Sequence, residues 1–333
     1  MARAPSAHAL HVARYAPQCG SWRSGRFQIF PRQHRLRVVT WNILCAEHRW
    51  RVRLSALFAE LEPLRPDLIA LQEVTPHQLE HILALDWVRD HFATSDMDGG
   101  SLEPNGVLLL SRPALLEARS VPLPSRRGRR LLLARVETGC GPLALAVAHL
   151  ESGSRARATR LRQLSIVQQA LPGGLPALIA GDLNFDADAD PEDACLPADL
   201  VDCWRRLHPA EAGKTLDPAA NALRAALVRD ADKHSRALRC DRLLLRPGAA
   251  ARWQPLESRR LGMAAPRDGP DAFASDHFGL LATIACGHAS SGHLIRSGEA
   301  SAACREPLLF AWLPASTAGT TPGSTAALDT EKP

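Results

Sequence analysis

An α/β layered fold is what this sequence predicts, on three observations. Short β-type apolar runs alternate with stretches of helical periodicity. No internal repeat interrupts the series. The composition, 46% hydrophobic and 23% charged over 333 residues, is that of a folded chain with a sizeable core.

In chain order, Arg37 to Trp41 (RVVTW) reads as a strand. Leu54, Leu57, Phe58 and Leu61 then fall at i, i+3, i+4 and i+7, the buried face of a helix. Asp67 to Leu71 is the next strand, and Gly106 to Leu110, Leu131 to Val136 and Leu143 to Ala148 come after it. A helix with Leu161, Leu164, Val167 and Leu171 inward separates this last run from Ala177 to Ala180. Asp241 to Leu245 and Leu280 to Ile284 complete the strands.

Composition shifts mark two borders. Residues 1–35 hold six arginines and no acid, and are expected to be a basic disordered extension. Residues 36–286 form the folded domain. From 287 to 333 a Ser, Ala, Gly and Thr-rich tail is expected, with one apolar stretch, Pro307 to Pro314, too short to build a core. The net charge is +5, so the remaining 298 residues sum to −1, and net charge gives the folded part no claim on a polyanion. Basic residues are 37 Arg against 3 Lys, a ratio that genome composition accounts for without a phosphate site.

The eight cysteines show no CxxC pair and no finger spacing, so neither a zinc site nor a disulfide framework is signalled. A reducing, cytoplasmic location and a monomer are expected. The Arg-rich opening leaves an organellar or nuclear address open. No apolar run approaches the roughly 18 to 20 residues a bilayer requires, so no membrane is expected.

The polar residues that end the strands point to chemistry. Asn42 ends RVVTW, Glu73 comes after DLIALQ, His149 after LALAVA, and Asp182 with Asn184 after ALIAG. Ser275, Asp276 and His277 stand just before the last strand. In a sandwich of two sheets the loops at one end lie together, so these residues can line one cleft. Attack of water on a phosphodiester requires charge neutralisation at the phosphoryl oxygens, a group that takes the proton, and help for the leaving oxygen. Glu73 is a hard oxygen ligand of the kind Mg²⁺ prefers. Asp182 is suited to the water, Asn42 and Asn184 to phosphate or metal, and a protonated His277 to developing negative charge. Each motif alone has a bland reading as a turn or a strand cap. Their occurrence together, in order and at strand ends, is what carries the assignment.

The series TWN (Thr40 to Asn42), LQEV (Leu71 to Val74), HLES (His149 to Ser152), GDLN (Gly181 to Asn184), CDRLL (Cys240 to Leu244) and SDHFGL (Ser275 to Leu280) resembles the endonuclease/exonuclease/phosphatase superfamily. The resemblance runs from about Leu36 to Cys286. It implies a four-layer α/β sandwich of two mixed sheets flanked by helices, and Mg²⁺- or Mn²⁺-dependent phosphoester hydrolysis. Within that superfamily HLESGSRARATRLRQL, LPADLVDCW, LRCDRLLLR and FASDHFGL are similar to the 5′-tyrosyl-DNA phosphodiesterase group, which implies a nucleic-acid end as partner and a role in DNA repair. By this likeness Glu73, Asp276 and Asp182 hold the metal, Asp182 also handles the water, Asn42 and Asn184 orient phosphate and metal, His149 and His277 belong to the catalytic set, and Asp241 orients His277. The chain departs from that group at Leu216, where Trp is usual, and at Asp186, where Arg is common. Alternative readings are hydrolysis of another phosphoester, such as RNA, an inositol phosphate or a sphingolipid, and a catalytically idle binding scaffold. Arg126, Arg127, Arg129 and Arg130 form a basic run, expected in a loop between strands, that could contact a nucleic-acid backbone.

Overall fold

Alternation along the strands decides the architecture, because successive side chains leave a strand on opposite faces. The computed structural model describes residues 7–25, 33–171, 173–228, 236–249, 251–264 and 273–288. Its elements in chain order are β1 (His8–Ala9), β2 (Ala13–Ala16), β3 (Ser21–Ser24), β4 (Arg35–Asn42), α1 (Trp50–Leu61), β5 (Leu68–Val74), α2 (Pro76–Ala84), α3 (Asp86–His91), β6 (Ala93–Thr94) and β7 (Gly106–Ser111). Then come β8 (Leu115–Pro122), β9 (Arg130–Thr138), β10 (Gly141–His149), α4 (Arg157–Ala170), β11 (Ala177–Asp182), β12 (Val201–Asp202), α5 (Cys203–Leu207), α6 (Ala222–Val228), β13 (Asp241–Arg246), β14 (Ala251–Leu261) and β15 (Gly279–His288).

Two mixed sheets result. One has the order β1-β8-β9-β10-β11-β13-β12, the other β14-β15-β4-β5-β7-β6-β2-β3. The pairs β10 with β11 and β4 with β5 run parallel, bridged by α4 and α1 respectively. Leu36, Val38, Leu68 and Ala70 from one sheet meet Leu145, Val147, Leu178, Ala180, Leu243 and Leu245 from the other in a shared core. The opposite faces are covered by helices. Val39, Trp41, Ile69 and Leu71 pack on Leu54, Leu57 and Phe58 of α1 and Leu79 and Ile82 of α2. Ala144, Ala146 and Ile179 pack on Leu164 and Val167 of α4. The four layers follow from these three apolar interfaces, as the sequence led us to expect.

The expectation of a disordered extension over residues 1–35 is corrected for residues 7–25. β1 pairs with β8, and β2 pairs with β6 at the edge of the other sheet. Ala13 is fully buried, Tyr15 and Trp22 meet edge to face, and the indole Nε1 of Trp22 donates to Leu83 O at 3.2 Å. Segments of two to four residues carry no legible period; only their partners define them. Removal of residues 1–25 is therefore expected to lower Tm by roughly 5 to 10 °C, at about 2–4 °C per kcal/mol for a domain of this size. An unchanged Tm in a calorimetric scan would show that these strands contribute nothing.

Two further differences concern the C-terminal half. β14 was not expected because Pro255 and the charged residues Glu257, Arg259 and Arg260 interrupt its pattern. It runs along the sheet edge with its register shift between Pro255 and Glu257, the place where a strand tolerates proline. Cys140 and Cys286 form a disulfide across 146 positions, joining the β9–β10 turn of one sheet to β15 of the other. Spacing along the chain cannot signal such a pair. The expected tail from 287 onward begins as the last two residues of β15, and Pro307 to Pro314 lies outside the described residues.

Candidate active site

The rows that build the inter-sheet core end in polar residues at one end of the sandwich. On β10 the inward series Leu143, Leu145, Val147 arrives at His149; on β11 Leu178, Ala180 arrives at Asp182; on β13 Leu245, Leu243 arrives at Asp241. Register completes the arrangement, because His149 lies opposite Asp182 and Asp182 opposite Asp241. Three polar side chains thus stand side by side on adjacent strands. Gly181 lets β10 and β11 close up there: a Cβ on it would collide with Ala148 O.

In the facing sheet Leu36, Val38 and Thr40 lead to Asn42, and Leu68, Ala70 lead to Gln72. By alternation Glu73 should point to the helices. Instead β5 bulges between Gln72 and Val74, and Glu73 takes a left-handed φ of 62°. Such a backbone costs on the order of 1 kcal/mol or more in a residue with a Cβ, and a bulge is a common means of re-aiming a side chain. Its carboxylate consequently reaches the other row. Asn42 Nδ2 donates to Glu73 Oε1 at 3.3 Å and to Asp182 Oδ2 at 3.1 Å, holding the two acids together. Cys45 N donates to Glu73 Oε2 at 3.0 Å. Asn184 N donates to Asp182 Oδ1 at 2.9 Å, while the Asn184 amide is turned to Leu150 O at 3.0 Å.

His277 arrives from the loop before β15. Its Nδ1 is 2.8 Å from Asp241 Oδ2, and its Nε2 is 3.9 Å from Asp182 Oδ2. Two bonds tie this loop to β4: Ser275 Oγ donates to Asn42 O at 2.6 Å, and Trp41 Nε1 donates to His277 O at 3.0 Å. The backbone of Asp241 is anchored in turn, its N donating to Thr215 Oγ1 at 3.1 Å.

Asn42, Glu73, His149, Asp182, Asn184, Asp241 and His277 are brought together as the sequence suggests. Asp276 is not. Its Oδ2 is 3.3 Å from Arg224 Nη1, because the guanidinium on α6 takes this buried carboxylate as its partner. Sequence reasoning missed three contributors. Arg129, part of the basic run expected in a loop to face a nucleic-acid backbone, instead inserts its guanidinium so that Nη1 lies 2.9 Å from His149 Nδ1. Cys45 borders Glu73, and Cys240 borders Asp241, its Sγ 3.5 Å from Oδ2. A signal existed only for Arg129, in the run before β9. The departure at Asp186 proves self-contained: this carboxylate is buried against Lys214 Nζ at 3.0 Å and does not present a bare charge to the site.

Charge distribution follows from these contacts. Burial alone would raise the Glu73 carboxyl, but His149, the Cys45 N–H and thiol, and Arg129 outweigh it and bring its pKa down to about 2. Asp182 moves the other way, up to about 6, through burial and then the charge of Asp241. Burial also opposes protonation of His277, yet Asp241 and then Asp276 overcome it and lift its pKa well above the usual value. For His149, burial and the adjacent Arg129 hold the pKa well below the usual value. A guanidinium offers only donors, so His149 Nδ1 accepts from Arg129 and Nε2 carries the hydrogen. That Nε2 is 3.4 Å from Asp182 Oδ2 and 4.0 Å from Glu73 Oε1.

The donor set around Asn42 suits a hard divalent cation. Glu73 and Asp182 supply carboxylate oxygens, neither paired directly with Lys or Arg among the described residues, and Mg²⁺ takes one or two carboxylates and keeps waters. One ionised acid, a second acid of raised pKa and an imidazolium in one cleft constitute the division of roles that acid–base catalysis uses.

Comparison with known proteins agrees with this geometry. Tyrosyl-DNA phosphodiesterase 2 of Danio rerio is 28% identical over 258 residues, 75% of this chain and 67% of that protein. The Homo sapiens protein of the same name is 27% identical over 260 residues, 74% of this chain and 67% of its own length. A crystal structure of D. rerio tyrosyl-DNA phosphodiesterase 2 complexed with single-strand DNA product superposes with a TM-score of 0.63 at 27% identity, covering 75% of this chain and 98% of that one. The human Nocturnin catalytic domain, at 18% identity and a TM-score of 0.57 over 78% of this chain and 97% of that one, shares the fold. The sequence profile of the Endonuclease/Exonuclease/phosphatase family matches residues 39–277, from the strand that presents Asn42 to the histidine of the cleft, and the chain belongs to that family.

Proposed function

We propose that this chain is a Mg²⁺- or Mn²⁺-dependent phosphodiesterase that releases tyrosyl adducts from DNA 5′ ends. The observation that carries the reading is the convergence of Glu73, Asp182 and the His277–Asp241 pair on one cleft, in a fold shared with a relative solved with single-strand DNA product. Glu73 would hold the cation, which when bound supplies charge neutralisation at the phosphoryl oxygens. Asp182, the acid of raised pKa, accepts the proton of the attacking water as the new P–O bond forms. His277, kept charged by Asp241, faces the phosphoryl oxygens and stabilises the negative charge that grows there as the bond to the tyrosine oxygen breaks. His149 Nε2–H and the Asn42 amide orient the acids and the phosphate. Arg129 adds a fixed positive charge behind His149.

A second reading, hydrolysis of another phosphoester, is favoured by one observation. Leu216, where the tyrosyl-DNA group carries Trp, is buried against Leu238 and Cys240, so this position offers no exposed aromatic face to a DNA end. Rates on a 5′-phosphotyrosyl oligonucleotide, an unmodified RNA and an inositol phosphate decide between them. We expect the tyrosyl substrate to be cleaved at least tenfold faster than the others, and EDTA to abolish turnover. A faster rate on either alternative substrate would transfer the assignment to it, and full activity in EDTA would remove the metal from the reading.

A further inference from the structure

Cys240 gives this cleft a donor that magnesium chemistry does not use. The residue is buried, at 1% exposure, immediately before β13, whose first residue is Asp241. One ligand atom each from Asp182, Cys240 and His277 lies within 4.8 Å of the other two. Carboxylate, thiolate and imidazole within that span form a donor set for Zn²⁺ and its borderline-soft relatives, whereas Mg²⁺ avoids sulfur and nitrogen. A second feature sits beside the set: Asp241 Oδ1 is fully buried and has no hydrogen-bond partner among the described residues, although Oδ2 of the same carboxylate is held by His277. Leaving such an oxygen unsatisfied costs about 1–3 kcal/mol, and a cation at the neighbouring donors would relieve it.

We propose that Asp182, Cys240 and His277 form a binding site for a thiophilic divalent cation, distinct from the Glu73 side of the cleft but sharing Asp182 with it, and that its occupation by Zn²⁺ shuts the enzyme off. Binding would form one metal–oxygen, one metal–sulfur and one metal–nitrogen bond in place of water ligands on the cation, and would release to solvent the thiol proton of Cys240 and the proton on the ligating nitrogen of His277; no electron moves. Inhibition follows because Asp182 and His277 are the two groups the hydrolysis depends on. The inhibitory part rests on the proposed function, whereas the site itself does not. Packing gives the competing account of Cys240, since its sulfur also touches the cluster of Leu216 and Leu238.

The test is a titration of the metal-stripped, thiol-reduced protein with Co²⁺, which reports on the site without any substrate. Expected are the near-ultraviolet thiolate-to-cobalt charge-transfer band and the intense visible bands of a four-coordinate centre, with displacement by one equivalent of Zn²⁺. Cys240→Ser should abolish the charge-transfer band and weaken Zn²⁺ binding by at least about 100-fold, since loss of a direct ligand should exceed the 10–100-fold that outer partners are worth. Cys240→Ala, checked for folding by its melting curve, should behave alike, while Glu73→Gln and Cys45→Ser should keep the band. In the wild-type enzyme, Zn²⁺ added over excess Mg²⁺ should inhibit, and in Cys240→Ser it should inhibit at least tenfold more weakly. No charge-transfer band, or a band that survives in Cys240→Ser and vanishes in Cys45→Ser, would overturn the site. A normal band with no Zn²⁺ inhibition on any cleaved phosphoester would leave the site standing and overturn the inhibition.

Discussion

Asp182→Asn is expected to lower turnover by at least about 10³-fold and, in metal-free buffer above pH 7, to raise the melting temperature. Loss of a positioned catalytic group accounts for the first effect. The second follows from the raised pKa. Asp182 is buried beside Asp241 and is pushed from 3.8 up to about 6. A carboxyl whose folded pKa exceeds its unfolded value contributes no penalty below about pH 4, and costs progressively more as pH rises through about 6. A shift of about two units corresponds to roughly 3 kcal/mol at pH 8. Asparagine keeps the shape and its one amide oxygen can accept from either Asn42 Nδ2 or Asn184 N, losing one of the two bonds at a cost of about 1 kcal/mol, smaller than the charge penalty it removes. The gain should therefore be roughly 5 °C or more at pH 8 and should vanish near pH 4. Saturating Mg²⁺ should favour the wild type instead, since the cation neutralises the same charge. A variant less stable than wild type at both pH values in EDTA would contradict the account, because it would show that the Asp182 carboxylate is held by favourable contacts and not repelled.

The same contrast marks the limit of what the sequence discloses. The apolar runs of β4, β10 and β11 are visible in the sequence, each with a polar residue where the run stops, while the face each strand turns inward comes from the structure. Asn42, His149 and Asp182 are legible in that way, Asn184 and His277 as polar residues beside a strand, and Asp241 only through the family resemblance. Glu73 is legible as a residue type but not as a direction, since its orientation depends on a bulge and a left-handed backbone that no local pattern announces. Asp276 fails for a related reason: adjacency to His277 suggests a shared role, whereas the two stand in a bend before β15 and Arg224 takes the Asp276 carboxylate. Arg129 and Cys240 could not be assigned, because what makes them part of the site is a partner 20 residues away in one case and a carboxylate on another strand in the other. β1 to β3 were invisible for want of length. Their strand character comes from the edges they complete.

His277 and Asp241 should lose activity as a unit. Truncating His277 to Ala is expected to cost roughly 10² to 10⁴ fold in turnover, the range of one positioned catalytic group. Asp241 acts on the reaction chiefly through the imidazole, its Oδ2 lying 2.8 Å from Nδ1, and secondarily through its charge on Asp182. Asp241→Ala should therefore cost much of the same factor, and the double variant should be little worse than the worse single one. The pH profile separates positioning from mere structural support. His277 owes its raised pKa first to Asp241 among the groups that lift it, so removing that charge should move the alkaline limb of kcat/KM to lower pH. A structural role alone would leave that limb in place and lower Tm without changing the rate per folded molecule. The stability readout has its own sign: a histidine of raised folded pKa stabilises most below about pH 6.5, and that contribution fades as pH rises through the folded value. His277→Ala should thus lose more stability relative to wild type at pH 6 than at pH 10. Additive rate losses across the cycle would refute the pairing, and a near-normal rate in His277→Ala would remove the histidine from the chemistry.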